Sequence, residues 1–330
     1  MSTRLDELRD WLSQSTGSTE FRLEPASSDA SFRRYFRVFQ AGRTFIVMDA
    51  PPEREDCRPY VTVATAFRAA GLNVPEILGA NLDKGFMLLT DLGSRLYLDA
   101  LERSTANRLY DDALNALLRL QTHGTGKENL LPAYNHELLM RELNLFRDWY
   151  IGTHLGLVLD DVDNRILDEV FAHLIQSALE QPRVWVHRDY HSRNLMVTTE
   201  SNPGILDFQD AVTGPVTYDV VSLLRDCYIA WPAADVERWA RQYYDGMKKA
   251  GLLSGTDWER FLSWFDLMGI QRHLKATGIF ARLSHRDGKP GYLNDIPRTL
   301  GYVLEVCGRY PDLRALDDLL QEIVVPRLGS

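Results

Sequence analysis

Apolar and polar positions change rhythm twice along the chain. Leu5, Leu8, Trp11 and Leu12 share one face of a first helix that Ser2 or Thr3 can cap. Between residues 20 and 50 the period shortens: FRLEP, YFRVFQ and TFIVMDA predict strands, with ASSDAS and the turn QAGR between them, as an antiparallel hairpin or meander. PPERED is a polar break. YVTVATAFRAAG follows as a helix stopped by Gly71, with Pro75 beyond it, and VPEILGAN and GFMLLTDLG predict further strands. From about residue 92 helical spacing prevails, over 105–121, 136–151, 161–180, 217–230, 234–250, 256–283 and 311–325. Residues 184–210 are the exception, short strands interrupted by polar loops. There is no internal repeat, low-complexity tract or long linker. The pattern predicts an α+β chain: a small N-terminal antiparallel β lobe with a helix, residues 1–90, and a larger, mainly helical C-terminal lobe, residues 91–330.

Composition narrows the class. At 330 residues the chain exceeds what one hydrophobic core usually fills, and 45% hydrophobic with 25% charged residues suits a globular protein in water. A formal charge of -9 disfavours nucleic acid and acidic membranes as partners, since a polyanion is repelled. Cys57, Cys227 and Cys307 show no CxxC spacing, which fits a reduced compartment and small buried hydrophobes rather than a zinc site. The start MSTRLDELRDWL lacks the pattern of a secretory signal, and no apolar run approaches the ~18 residues of a membrane span. The expected setting is cytoplasmic, with no membrane and no obligate protein partner.

The segment VWVHRDYHSRNLMV, residues 184–197, sets a run of polar groups between two apolar stretches. Buried strands tolerate this only if the polar groups pair with one another, with backbone, or with a ligand or metal. Asp189 precedes Asn194 by five positions, and thirteen further on the apolar run GIL leads to Asp207. Two carboxylates and an amide supply hard oxygen ligands for Mg2+, and a carboxylate left over can orient or deprotonate a hydroxyl nucleophile. The alternative is a loop whose Asp and Asn serve only as turn formers.

The HxDxxxxN run followed by a second Asp resembles that of the protein-kinase-like small-molecule phosphotransferases, the aminoglycoside phosphotransferase and choline kinase family. The resemblance implies a bilobal protein-kinase-like fold that binds ATP and Mg2+, with Asp189 as catalytic base and Asn194 and Asp207 holding the metal. It further implies that His187 supports the loop and that His191 reaches the transferred phosphoryl group. The family's phosphate-covering loop falls on SSDAS, with Ser28, Asp29, Ala30 and Ser31 as its binding residues and no glycine among them. Met48 stands where the family carries a third-strand lysine, so the phosphate charge must be offset by arginine, with Arg33 and Arg34 the nearest candidates, or mainly by the metal. The backbone from Leu89 to Asp91 would meet adenine.

The wording HRDYHSRNLM, LDFQDAVTGPVTYDVVSLLRD, HLKATGIFARLSHRDGKPGYL and SSDASFRRYFRV is similar to one branch of that family, the anomeric kinases of N-acetylmuramate and N-acetylglucosamine. This implies ATP-dependent phosphorylation of a sugar C1 hydroxyl in the recycling of cell-wall sugars. Candidate sugar-reading residues are Glu142, Asn144, Asp210, Asp226 and His273, with Trp149, Tyr150 or Trp231 against the ring. Asp219 is expected to cap the following helix and brace the catalytic loop. Between Arg272 and Lys289 five Lys or Arg residues accompany one acid, Asp287, which suits either an acidic acceptor or pairing with the chain's own carboxylates. An aminoglycoside or choline-type phosphotransferase, acting on a cationic acceptor, and a nucleotide-binding pseudokinase-like module are the alternatives.

Overall fold

The computed structural model describes residues 3–27, 32–127 and 129–328, and the chain divides into two compact units. One comprises Met1–Leu96 with Leu195–Asp210, the other Tyr97–Asn194 with Ala211–Ser330.

The first unit begins with α1 (Arg4–Thr16). Thr3 caps it reciprocally: its Oγ1 accepts from Asp6 N at 3.3 Å and its own N donates to Asp6 Oδ2 at 2.9 Å. The strands β1 (Arg22–Ser27), β2 (Arg34–Gln40), β3 (Arg43–Asp49), β4 (Ile77–Asn81) and β5 (Phe86–Thr90) form one sheet, ordered β1-β2-β3-β5-β4 and antiparallel at every pairing. Ala41 and Gly42 make the tight turn between β2 and β3 with φ of 48° and 75°, the positive pair that a two-residue hairpin twisting with its strands demands. Leu8 and Leu12 of α1 are fully buried against Val38, Val47, Phe86 and Leu88, one alternating face of the sheet. Each such leucine contributes about 1.5–3 kcal/mol. α2 (Arg58–Ala69) follows β3.

The sequence divided the chain at residue 90, whereas this unit runs to Leu96 and takes back Leu195–Asp210. Backbone pairing explains the difference. Leu195–Met196 and Gly204–Ile205 form a small hairpin, which Leu96 and Asn73 bridge, and Val197 N donates to Arg95 O at 2.8 Å.

In the second unit α3 (Tyr97–Ala100), α4 (Ala106–Gly124), α5 (His136–Leu145) and α6 (Asp161–Leu179) precede α7 (Tyr218–Leu224), α8 (Ala233–Lys249), α9 (Trp258–His285), α10 (Ile296–Cys307) and α11 (Arg314–Ile323). An antiparallel ladder joins Arg183–Val186 to Val212–Pro215. α9 is the axis of the unit, packed by α5, α6, α7 and α10 and buried on nearly every side, so that even Asp266, Gln271, Arg272, His273 and Lys275 lie inside. Where it crosses the end of α5, Gly278 admits the Leu145 backbone so closely that a Cβ would lie 2.3 Å from Leu145 C. There the chain passes into a π-helix, Phe146–His154, which the sequence reading took as a continuation of α5. α10 was not anticipated either, because Pro297 and Gly301 interrupt its pattern. The cysteines are free and buried, and among the described residues no helix is long and apolar enough to cross a membrane.

Candidate active site

The strand Arg183–Val186 runs into the buried His187, and the chain turns at Arg188, whose φ of 78° is left-handed for a residue with a Cβ. Asp219, in the first turn of α7, holds this turn by accepting His187 N at 2.7 Å and Arg188 N at 3.0 Å. Thr217 occupies the cap position of that helix, so Asp219 braces the loop as expected but does not cap. Past α7, Asp226 accepts Ser192 N and Tyr228 N, both at 2.8 Å. Within the loop the Asn194 side-chain amide donates to Asp189 O at 3.0 Å, and Asp189 N donates to His187 Nδ1 at 3.2 Å. Burial pushes the Asp219 carboxyl up to about 7, against the two N–H groups that favour its charged form.

This frame presents Asp189 half-buried among cations. Burial alone would raise its pKa, but Lys275, His191, Arg188 and Arg272 outweigh it and hold the carboxyl down to about 2. Asp189 is therefore an ionised acceptor, fixed in direction by a pinned main chain. Two positions on, burial lowers the His191 pKa against the pull of Asp226 and Asp189, which favours the neutral ring. Its Nδ1 has no hydrogen-bond partner, and the ring stands edge-on to Tyr228 at 5.3 Å.

Glu142, a candidate sugar reader, is turned inward instead. Its carboxylate takes hydrogen bonds from Arg188 and Tyr134 and lies 3.2 Å from Lys275 Nζ, with Gln271 Nε2 at 3.3 Å. Lys275 also donates to the Tyr218 hydroxyl at 2.9 Å, and Arg272 lies over the Tyr218 ring, 4.9 Å from its centroid. Three buried or nearly buried cations thus surround Glu142 and Asp189. Arg272 and Lys275 belong to the cationic stretch noted in the sequence, and their spacing of three puts them on one helix face. No local pattern announces Tyr134, Tyr218 or Gln271, because they meet the cluster only through long-range packing.

The other candidate readers are scattered. Asp226 faces inward, its carboxylate bound to main-chain N–H groups, so it serves as a second brace. His273 is buried, with Nε2 2.9 Å from Arg225 O and its ring stacked on Tyr302, and burial drives its pKa down to about 3. Asn144 is half-buried two positions after Glu142, a spacing that puts the two on different faces of α5. Tyr150 is buried and stacked on Phe146, while Trp231 Nε1 donates to Tyr110 OH at 2.8 Å.

In the first unit, Asp207 follows the Gly204–Ile205 strand with φ of 59°, a left-handed position that Asp tolerates, and accepts from Gln209 Nε2 at 2.7 Å. Phe208 anchors it, packed on Tyr60 and Phe67 of α2 at 4.7 and 5.8 Å. Asp210 is exposed. Ser28, Asp29, Ala30 and Ser31 lie outside the described residues. Arg33 is paired with Glu55 at 2.9 Å and Arg34 with the buried Asp49, so phosphate contact by either would require exchanging a carboxylate. Met48 is fully buried and, by strand alternation, faces away from α1, aligned with Tyr35 and Met87. Leu89 is buried in β5, and the Asp91 carboxylate is bound by Arg37 through Nε at 2.7 Å.

The chain is 47% identical to an N-acetylmuramate/N-acetylglucosamine kinase of Pseudomonas putida, over 97% of this chain and 96% of the relative. It is 50% identical to a protein of the same name from Pseudomonas aeruginosa, over 91% and 88% of the two chains. In fold it is similar to the choline kinase LicA of Streptococcus pneumoniae, with a TM-score of 0.64 and 12% identity over 92% of this chain and 100% of that one. The ADP-bound aminoglycoside phosphotransferase APH(2'')-Ib gives a TM-score of 0.58 at 14% identity over 90% and 97%. Residues 22–260 match the model of the phosphotransferase enzyme family, and the chain belongs to that family.

Proposed function

We propose that the protein transfers the terminal phosphoryl group of ATP to the C1 hydroxyl of N-acetylmuramate and N-acetylglucosamine. The observation that carries the reading is Asp189: an ionised carboxylate on a loop pinned by Asp219 and Asp226, in a chain nearly half identical to kinases named for these sugars. A carboxyl held to about 2 is a weak base. That suits an anomeric hydroxyl, which is more acidic than an ordinary alcohol, and a loose phosphoryl-transfer transition state in which positioning outweighs proton abstraction. Asp189 orients the hydroxyl and accepts its proton as the O–P bond forms. His191, neutral and with an unpartnered Nδ1, reaches the transferred phosphoryl group.

An amide oxygen from Asn194 and a carboxylate from Asp207 are hard donors of the kind Mg2+ takes in small number, and these residues would hold it. When bound, the ion offsets charge on the nucleotide phosphates. Asn144 and Asp210 supply an amide and an acid suited to pyranose hydroxyls. The cations gathered around Asp189, Arg272 among them, weigh against a cationic acceptor such as choline or an aminoglycoside, since like charges in a buried site repel. The product would return cell-wall amino sugars to use, in the cytoplasm where ATP is available.

Incubation with ATP and Mg2+ against amino sugars, aminoglycosides and choline, read by phosphorus NMR, tests the reading. A sugar 1-phosphate is expected. Phosphorylation at C6, or of an aminoglycoside alone, would defeat it.

A further inference from the structure

Arg272 and Lys275 leave α9 on the same face, and both are buried, yet their charges are balanced differently. Lys275 has Glu142 at 3.2 Å, and Arg188 shares the same carboxylate. Arg272, 7% exposed, rests on Tyr218 instead, with its guanidinium over the ring, 4.9 Å from the centroid. Among the described residues no carboxylate lies within 4.0 Å of it, and its Nε has no hydrogen-bond partner. The acids nearby are already engaged. Asp219 and Asp226 bind main-chain N–H groups, Glu142 serves the other two cations, and Asp189 is the base.

Asp189 favours the charge on Arg272 from beyond contact distance, but a buried guanidinium with no carboxylate bound to it keeps hydrogen-bonding capacity that a ligand can fill. We propose that Arg272 binds a carboxylate carried by the acceptor, which makes it the residue that distinguishes an anionic amino sugar from a neutral one. The inference rests on the sugar-kinase reading above. N-acetylmuramate differs from N-acetylglucosamine by an ether-linked lactyl carboxylate at C3. A site that takes both must hold the anion when it is present and stay intact when it is absent. An arginine whose charge is partly offset by an aromatic face meets both demands. Its planar fork also matches a carboxylate through two parallel hydrogen bonds. Lys275, closed into an ion pair with Glu142, has no such capacity to spare.

The test is steady-state kinetics of the wild type and Arg272→Gln with both sugars at saturating ATP. The ratio of kcat/KM for N-acetylmuramate over N-acetylglucosamine is expected to fall about ten- to a hundredfold, the range of a charge-assisted contact, and to fall through KM for N-acetylmuramate. An equal loss for both sugars overturns the inference, because a phosphoryl contact or a packing role would give that result. A second measurement needs no variant: the wild type is compared on N-acetylmuramate and on its neutral lactyl amide. Preference for the carboxylate by a similar factor is expected, and equal kcat/KM overturns the inference. If the wild type phosphorylates neither sugar, the sugar-kinase reading itself fails and takes this inference with it.

Discussion

Asp219 accepts the main-chain N–H of Arg188 at 3.0 Å, at the one residue between His187 and Asn194 whose φ, 78°, is left-handed. The same carboxylate accepts His187 N, so one buried side chain holds a strained turn from behind. Asp219→Asn keeps a single acceptor oxygen and sets an NH2 group against the other N–H. The expected cost is about 1–3 kcal/mol, the penalty of one unpaired buried donor, read from the urea unfolding midpoint, with a parallel loss of turnover. Unchanged stability would show that the turn holds without the brace.

Asp189→Asn removes the carboxylate proposed as proton acceptor while keeping the shape. Turnover should fall about 10²–10⁴-fold with cooperative unfolding retained. A variant that keeps a tenth or more of the wild-type rate would take Asp189 out of the base role.

Glu142→Gln leaves Arg188 and Lys275 buried without their shared carboxylate. Breaking such a cluster on one side costs about 3–5 kcal/mol. Thermal and urea unfolding measure it, and a loss below about 1 kcal/mol would mean the cations are compensated elsewhere.

His273 gives a pH dependence with a definite sign. In the folded protein it stays neutral down to about 3, whereas the unfolded chain takes up the proton near 6.5. Below pH 6.5 the unfolded state therefore binds more protons, and the stability that His273 contributes above 6.5 is lost as pH falls toward 3. Its share of the slope is about 1.4 kcal/mol per pH unit. His273→Gln keeps an N–H for Arg225 O and cannot titrate, so its stability curve should be shallower over that window. Parallel curves for the two proteins would show that another group sets the slope.

Gly278→Ala forces a Cβ into the Leu145–Phe146 backbone and is expected to destabilise by about 1–3 kcal/mol or more. Gly301→Ala on α10, where nothing lies within 4 Å, serves as the contrast and should be neutral or stabilising by up to about 1 kcal/mol. Equal midpoints for the two variants would contradict the close crossing of α9 and α5.

The short apolar runs FRLEP, YFRVFQ, TFIVMDA and FMLLT and the helical spacing after residue 92 were enough to determine most of the strands and helices, α10 and the π-helix Phe146–His154 excepted. A local period says which face of an element is buried, and burial is the dominant force on an element. The same held for HRDYHSRN, where polar residues between apolar strands demanded partners. Which partners they find is a different matter. Arg188 and Glu142 are 46 residues apart, Gln271 and Glu142 129 apart, and no period links them. Only the packing of α5, α7 and α9 decided that Glu142 would anchor two cations, that Asp226 and His273 would turn inward, and that Arg272 would rest on Tyr218 without a carboxylate. Local periodicity records the direction in which a side chain points, while the identity of what it meets is settled by long-range packing that leaves no periodic trace in the chain.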